Sequence, residues 1–375
     1  MEKSKLVGRK PLRLHSSYTS AIEKMVEESD AKQNAIERKF EIALASIPLR
    51  PVRLPIEVIA HGGESLMSIL FRACNKIGIY GTQQLINELG WKKSRILRSN
   101  EVVQAAKSIG VKPVHLVESC PITIDDKSVF FSGHRLSSRH VTAHEVRICG
   151  ACFKEDGYGR KEWQLRALMV CLRHRAPLIG ACVKCKSPLS NTRPGYDQCR
   201  CGHFYSSEIN SCTNQAALLA SIIVSRFYGV DSTEDFEKLG LPIAMVQHLP
   251  LSGLLDLACV LGMAERNPAT FQLRRLDWPS DAAEGMRRFD IASDALRNWP
   301  KGLFHRLRSV RMYSPWEDSP NEVTKTLDHI LRAATHHMEP YAGRVLLQGI
   351  AEFVKAPQEW NEHRQAAHEE SSCLA

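Results

Sequence analysis

From Ser20 to Ala45 the chain reads SAIEKMVEESDAKQNAIERKFEIALA, with neither Gly nor Pro. Ile22, Met25, Val26, Ile36, Phe40 and Leu44 recur at mostly helical separations while Glu and Lys fill the other face, which predicts one amphipathic helix over 17–47. Two readings of it stand: a helix folded back on the body, or a helix that binds a partner or pairs two copies as a homodimer. Ahead of it, residues 1–16 are basic, lack an apolar period and are expected to form a flexible arm. After it, the three prolines between Pro48 and Pro55 cannot sustain a helix and predict an extended linker over 48–55.

The helical period resumes at Leu66, Ile69, Leu70, Ala73 and Ile77, after Glu64-Ser65-Leu66 and before a closing Gly78. Thr82 is placed to cap QQLINELG, and Asn100 to cap EVVQAAKSIG, with VKPVHLVES following. Ala106, Gly110, Val111 and Leu116 have the small residue, turn glycine and apolar spacing of a helix-turn-helix. Such a pattern reads either as a DNA-reading hairpin, with Lys112 and His115 toward nucleic acid, or as an ordinary packed pair of helices. Residues 119–146 look irregular, with one short apolar piece, SVFFSG. His134, His140 and His144 within them fit no tetrahedral template and read as solvated or core histidines.

Beyond Cys212 the helical pattern returns in NQAALLASIIVSRFYG, STEDFEKLG, LPLSGLLDLACVLG and SDAAEGMRRFDIASDALRNWP. It continues in KGLFHRLRSVR, EVTKTLDHILRAATHHM and GRVLLQGIAEFVKA. The expected fold class is therefore mainly α. A helical N-terminal domain with a helix-turn-helix-like hairpin (56–146) precedes a central double zinc-binding module with short β-ribbons (147–206). A helical C-terminal domain (207–356) and a flexible tail (357–375) complete the chain.

That central module is where chemistry enters. Residues 149–201 read C-x2-C-x18-C-x2-H and then C-x2-C-x13-C-x-C. Cys149, Cys152, Cys171 and His174 make one candidate tetrahedral set, and Cys182, Cys185, Cys199 and Cys201 a second. A set that fills all four positions is structural; catalysis needs an open position and a nearby general base. A deaminase-like H-x-E and P-C-x-x-C arrangement is not met, because His144 and Glu145 are adjacent and no Pro precedes Cys149. Two structural zinc ions are the expectation.

Composition narrows the setting. The chain has 375 residues, which suggests two or three domains, and carries a formal charge of +9, which favours a polyanionic partner such as DNA or RNA. Of its 12 cysteines, Cys74, Cys120, Cys212, Cys259 and Cys373 are scattered singly and read as inert thiols. With no signal-peptide core and no apolar run of membrane length, the chain is expected to be cytoplasmic and free of membrane, a bacterial protein that joins the nucleoid when bound to DNA. Arg173 and Arg175 flank His174, and Lys184 and Lys186 flank Cys185; these either meet phosphate or form the solvated face of the module. Walker A, G-x-G-x-x-G and G-x-S-x-G strings are absent, so the chain is read as no enzyme. Acidic pairs such as Asp125-Asp126 and Glu27-Glu28 exist, but a helical setting offers no strand scaffold to converge them on a two-metal nuclease site.

LPIEVIAHGGESLMSILFRACNKIG resembles the opening of TniQ-family transposition proteins, and ICGACFKEDGYGRKEWQLRALMVCLRHRAPLIGACVKC resembles that family's zinc region. Trp163, Cys171, His174, Pro177 and Leu178 fall in the family's order, and DALRNWPKGLFHRL is similar to a C-terminal element of TniQ and TnsD proteins. The likeness spans about residues 52–310. It departs at Gly150, where relatives commonly have Pro, and in the long segment before Pro48. The resemblance implies a target-selection adaptor for DNA transposition, not a recombinase. Such a protein binds DNA or docks on an RNA-guided targeting complex, then recruits an AAA+ transposition ATPase (TniB/TnsC-like) that brings in the transposase. The alternative is a sequence-specific, zinc-containing DNA-binding regulator outside transposition.

Overall fold

The computed structural model describes residues 57–89, 96–142, 146–190, 193–205, 214–230, 233–262, 278–279, 282–312 and 330–355. The expected arm (1–16), amphipathic helix (17–47), linker (48–55) and tail (357–375) lie outside them, as do Cys212, Cys373 and His144.

The fold is mainly α. Helix α1 (Leu66–Lys76) begins where Ser65, in extended conformation, accepts a hydrogen bond from Ser68 N at 3.3 Å. Its predicted face, Leu66, Ile69, Leu70 and Ala73, is buried. The preceding Glu64 is also buried, and it holds Arg72 through two bonds of 2.8 and 2.9 Å while accepting from the Ser68 hydroxyl at 2.7 Å. The Glu-Ser-Leu string is thus a helix start with a buried, paired carboxylate.

Two of the expected caps differ from the structure. Thr82 does precede α2 (Gln83–Glu88), but its side chain makes no capping bond. Helix α3 (Ser99–Ile109) starts earlier than Asn100, with Arg98 at its N-cap. The Glu101 carboxylate accepts from Arg98 N at 2.8 Å, and Asn100, one position inside the helix instead of before it, accepts from Glu101 N at 3.0 Å. Gly110, at φ 73, ends α3, and α4 (Pro113–Glu118) follows with Lys112 at its N-cap and Pro113 at its first position.

Residues 119–146, expected to be irregular, contain a three-stranded antiparallel sheet: β1 (Ile122–Thr123), β2 (Ser128–Phe131) and β3 (His134–Ser137) in that order. Val129, Phe131 and Leu136 point into the core at a period of two, too short a run to stand out as a strand pattern. Ser132 and Gly133 both have positive φ, the conformation that a two-residue hairpin loop with the native strand twist requires.

The central segment holds α5 (Gly150–Asp156) and a ribbon of β4 (Val170–Cys171) with β5 (Ala176–Pro177). After it come α6 (Asn214–Phe227), α7 (Thr233–Leu239), α8 (Ile243–His248), α9 (Leu251–Gly262), α10 (Ala282–Leu296), α11 (Lys301–Met312), a helical stretch over 330–336, and α12 (Pro340–Lys355). Helix α9 is apolar apart from Ser252 and the ion-paired Asp256, and it is buried, packed on α6, α10, α12 and β3. At its end Gly262 lets α10 approach closely: a Cβ there would lie 2.6 Å from the Arg288 carbonyl oxygen. One hydrophobic core runs from Phe71 through Trp163, Leu168 and Met169 to Phe353, so the cysteine-rich central segment is packed between the helical halves.

Candidate metal centres

Each donor in the first cluster is placed by a different local device. Cys149 is the N-cap of α5 and Cys152 lies in its first turn, so one helix start aims two sulfurs at one point. Cys171 ends β4, and His174 lies in the turn to β5, where Arg175 takes positive φ. The four donor atoms lie within 4.8 Å of one another. His174 Nδ1 is 3.5 Å from Cys149 Sγ, 3.2 Å from Cys152 Sγ and 3.7 Å from Cys171 Sγ, and the Cys152 and Cys171 sulfurs are 3.5 Å apart. Around a tetrahedral ion with metal–sulfur bonds of about 2.3 Å and a metal–nitrogen bond of about 2.1 Å, donors sit about 3.5–3.8 Å apart. The cluster has that size, and could hold a metal ion.

The second cluster is built from two tight turns. Cys182 and Cys185 flank one that Lys186 N closes on the Cys182 carbonyl at 2.7 Å, with Lys186 at positive φ. Cys199 and Cys201 flank the other, ended by Gly202 at φ 84. Sulfur separations are 3.6 Å for Cys182–Cys201 and 3.5 Å for Cys185–Cys199, and all four fall within 4.8 Å. These distances are far beyond a disulfide bond, and all seven cysteines are free.

The crowding perturbs the thiols. Hydrogen bonds from Cys152 and then Cys171 hold Cys149 far below the usual thiol range, and bonding to Cys149 pushes Cys152 up. Thiols this close resist ionising together, so the fully deprotonated set calls for a cation at its centre. His174 offers Nδ1 to the sulfurs and turns Nε2 to Glu155 Oε1 at 2.9 Å. That is the carboxylate–histidine pairing that fixes the tautomer of a metal-bound imidazole. Glu155 was not apparent from spacing, although it stands on α5 three residues beyond Cys152.

A second contact missed from sequence fastens the other cluster. The buried guanidinium of Arg193 lies 4.9 Å from the Phe71 ring and 4.7 Å from the Tyr196 ring. It also donates to the Ser190 carbonyl at 2.8 Å and twice to the Tyr196 carbonyl, at 2.8 and 2.6 Å. The loop carrying the second cluster is thereby pinned to α1. Gly159 completes the junction: its carbonyl accepts from Ser65 N at 2.8 Å, and a Cβ on it would fall 1.8 Å from the Tyr196 hydroxyl.

The candidate phosphate-contacting residues divide. Arg173 is held by Glu155 at 2.8 Å and by Asp156 at 2.9 Å, so its charge is already paired. Arg175, Lys184 and Lys186 are exposed on the two metal-binding turns. Lys112 and His115 are exposed on the separate α3–α4 hairpin, beside Val114, which is 56% exposed. Of the three histidines within residues 119–146, His140 is buried 2.9 Å from Asp256 and His134 lies 3.1 Å from the Phe227 carbonyl, both in structural roles.

Residues 55–178 match the family model described as TniQ. The chain carries a TniQ domain over those residues. The TniQ domain takes in α1 to α5, the three-stranded sheet and the whole first donor set, and ends at Leu178, ahead of the second. A comparison of the chain with curated proteins finds no match. At the level of the family, the TniQ domain implies transposition-associated target selection. Among the described residues, no helix is long and apolar enough to cross a membrane.

Proposed function

We propose that this TniQ-domain protein is a DNA-transposition target-selection adaptor held together by two structural zinc ions. The observation that carries the reading is the pair of closed donor sets, one inside the TniQ domain, each with four N or S ligands and packed into the shared core. Zinc suits three thiolates with an imidazole, and four thiolates, in tetrahedral array, and a filled set leaves no position for a substrate or an activated water. The ions would lock turns that a chain of this composition could not otherwise hold.

The side chains for DNA are Arg175, Lys184 and Lys186 on the metal-binding turns and Lys112 and His115 on the α3–α4 hairpin, with Arg173 ordering α5 instead. The exposed cations would meet phosphate, and the short α4 would present Val114 and His115 to a groove. Bound to its site, or docked on an RNA-guided targeting complex, the protein would recruit an AAA+ transposition ATPase and through it the transposase. The test is DNA binding across a salt series with and without the ATPase. Each phosphate contact steepens the slope of log affinity against log salt by about 0.9. Lys184→Ala with Lys186→Ala is expected to flatten it by about two contacts' worth. A TniQ-domain protein that binds no target DNA and retains no ATPase would overturn the reading.

A further inference from the structure

The two metal centres differ in one respect that their similar donor sets hide. In the first, Cys149, Cys152 and Cys171 are buried and His174 is half-buried behind Glu155. In the second, Cys182 and Cys199 are buried but Cys185 and Cys201 are exposed. Two close sulfur pairs of the second centre join one inner to one outer sulfur: Cys182 with Cys201 at 3.6 Å and Cys185 with Cys199 at 3.5 Å. Lys184 and Lys186 flank the outer Cys185, and both are exposed. An accessible thiolate in an electropositive setting, beside a second thiolate, is the arrangement in which cysteine is most readily oxidised.

We infer that the second centre is an oxidation site, at which a hydroperoxide converts inner–outer cysteine pairs to disulfides and expels the ion while the first centre stays intact. This rests on the reading of both centres as zinc sites. In the first step the Cys185 sulfur attacks hydrogen peroxide: an S–O bond forms, the O–O bond breaks, and hydroxide leaves and is protonated to water. In the second the Cys199 thiolate attacks the sulfenic sulfur. The S–S bond forms, the S–O bond breaks, and a second hydroxide leaves as water. Two thiolates lose two electrons, one peroxide gains them, and two protons are consumed. The sulfurs need to close from 3.5 Å to about 2.05 Å, a side-chain movement between the two turns of the cluster. An ion stripped of two of its four ligands is no longer held.

The consequence reaches α1. Arg193 and Tyr196, which fasten this loop to Phe71, lie in the stretch between the two cysteine pairs of the second centre. Opening that centre releases the tether of the loop to the TniQ domain and alters the turn that carries Lys184 and Lys186. The first centre offers no such route, because its three sulfurs belong to buried residues of the core.

The test uses the full-length protein as purified. Its metal content is measured first: fewer than two zinc ions per chain would remove the zinc reading itself, and this inference with it. The protein is then titrated with hydrogen peroxide while released zinc is followed with a chromogenic chelator, and cysteine oxidation is mapped by differential alkylation and mass spectrometry. The expected result is one equivalent of zinc released before the other, with disulfides among Cys182, Cys185, Cys199 and Cys201 and with Cys149, Cys152 and Cys171 still reduced. A thiol reductant with added zinc should restore both equivalents. Simultaneous release of both ions, first oxidation in the Cys149–Cys171 set, or no release at peroxide levels that oxidise a free thiol would each overturn the inference while leaving the zinc sites in place.

Discussion

Glu155 Oε1 lies 2.9 Å from Nε2 of His174, across the imidazole from the Nδ1 that faces three sulfurs. The carboxylate accepts the Nε2 proton and so keeps Nδ1 free to bind an ion. Replacing such an outer partner typically lowers metal affinity about 10–100-fold. Glu155→Ala is expected to weaken the first centre by that factor in a competitive chelator titration and to leave the second unchanged. Equal weakening of both, or of neither, would remove this role.

Arg193 is a buried cation with aromatic rings and carbonyl oxygens for partners. Burial pulls its pKa down from the usual guanidinium value, yet the charge is held by Tyr196 and the surrounding acceptors. Arg193→Met would keep much of the packing volume but leave the Ser190 and Tyr196 carbonyls without their donor. A loss of about 2–4 kcal/mol is expected in chemical denaturation. A loss below about 0.5 kcal/mol, the level of an ordinary surface substitution, would contradict the pinning described for this loop.

Asp256 on α9 joins three segments: it accepts from Arg139, lies 2.9 Å from His140, and accepts from Glu339 N at 2.7 Å ahead of α12. Burial pushes its carboxyl up, but the His140 bond, Arg139 and the Glu339 N–H outweigh that, and the net shift is downward. A carboxylate lowered on folding stabilises the protein above its unfolded pKa of about 3.9, and that contribution is lost as pH falls through this value toward the folded one. Stability should therefore decline below about pH 5. Asp256→Asn is expected to cost about 3 kcal/mol at neutral pH and to flatten the acid limb of the stability–pH curve. An acid limb unchanged by the substitution would show that other carboxylates set it.

Glu162 has the opposite sign. Burial raises its pKa against the hydrogen bond donated by Tyr228 at 2.7 Å. The folded state therefore bears a cost above the folded pKa, and that cost vanishes below the unfolded value of about 4.3. Glu162→Gln keeps an acceptor for Tyr228 without a charge, so thermal melts at pH 8 should show equal or higher stability. A clear drop would mean that the ionised carboxylate is itself needed.

The parts of this molecule that were legible in sequence share a physical basis. Metal ligands announce themselves by spacing, because two donors on one turn must reach one ion, and all eight fall into the expected two sets. Long helices such as α1, α9 and α10 declare themselves through sustained apolar period. The β1–β3 sheet was hidden because strands of two to four residues carry too few alternations. Asn100 misled on the boundary alone: it still accepts from Glu101 N, but the helix begins one residue before it, at Ser99. Contacts such as Phe71–Arg193 and Arg139–Asp256 join residues more than a hundred positions apart, and no local pattern marks them. The cations suggested for phosphate looked alike in sequence, and only the ion pairs of Arg173 set it apart.

On the proposed function, closed zinc centres hold this protein together instead of doing chemistry. Zinc content and thermal melting of Cys171→Ser beside the parent protein test this most directly. Two zinc ions per chain are expected in the parent, one in the variant, and a markedly lower melting temperature, since structural metal binding is folding free energy. Unchanged zinc content with an unchanged melt would contradict it.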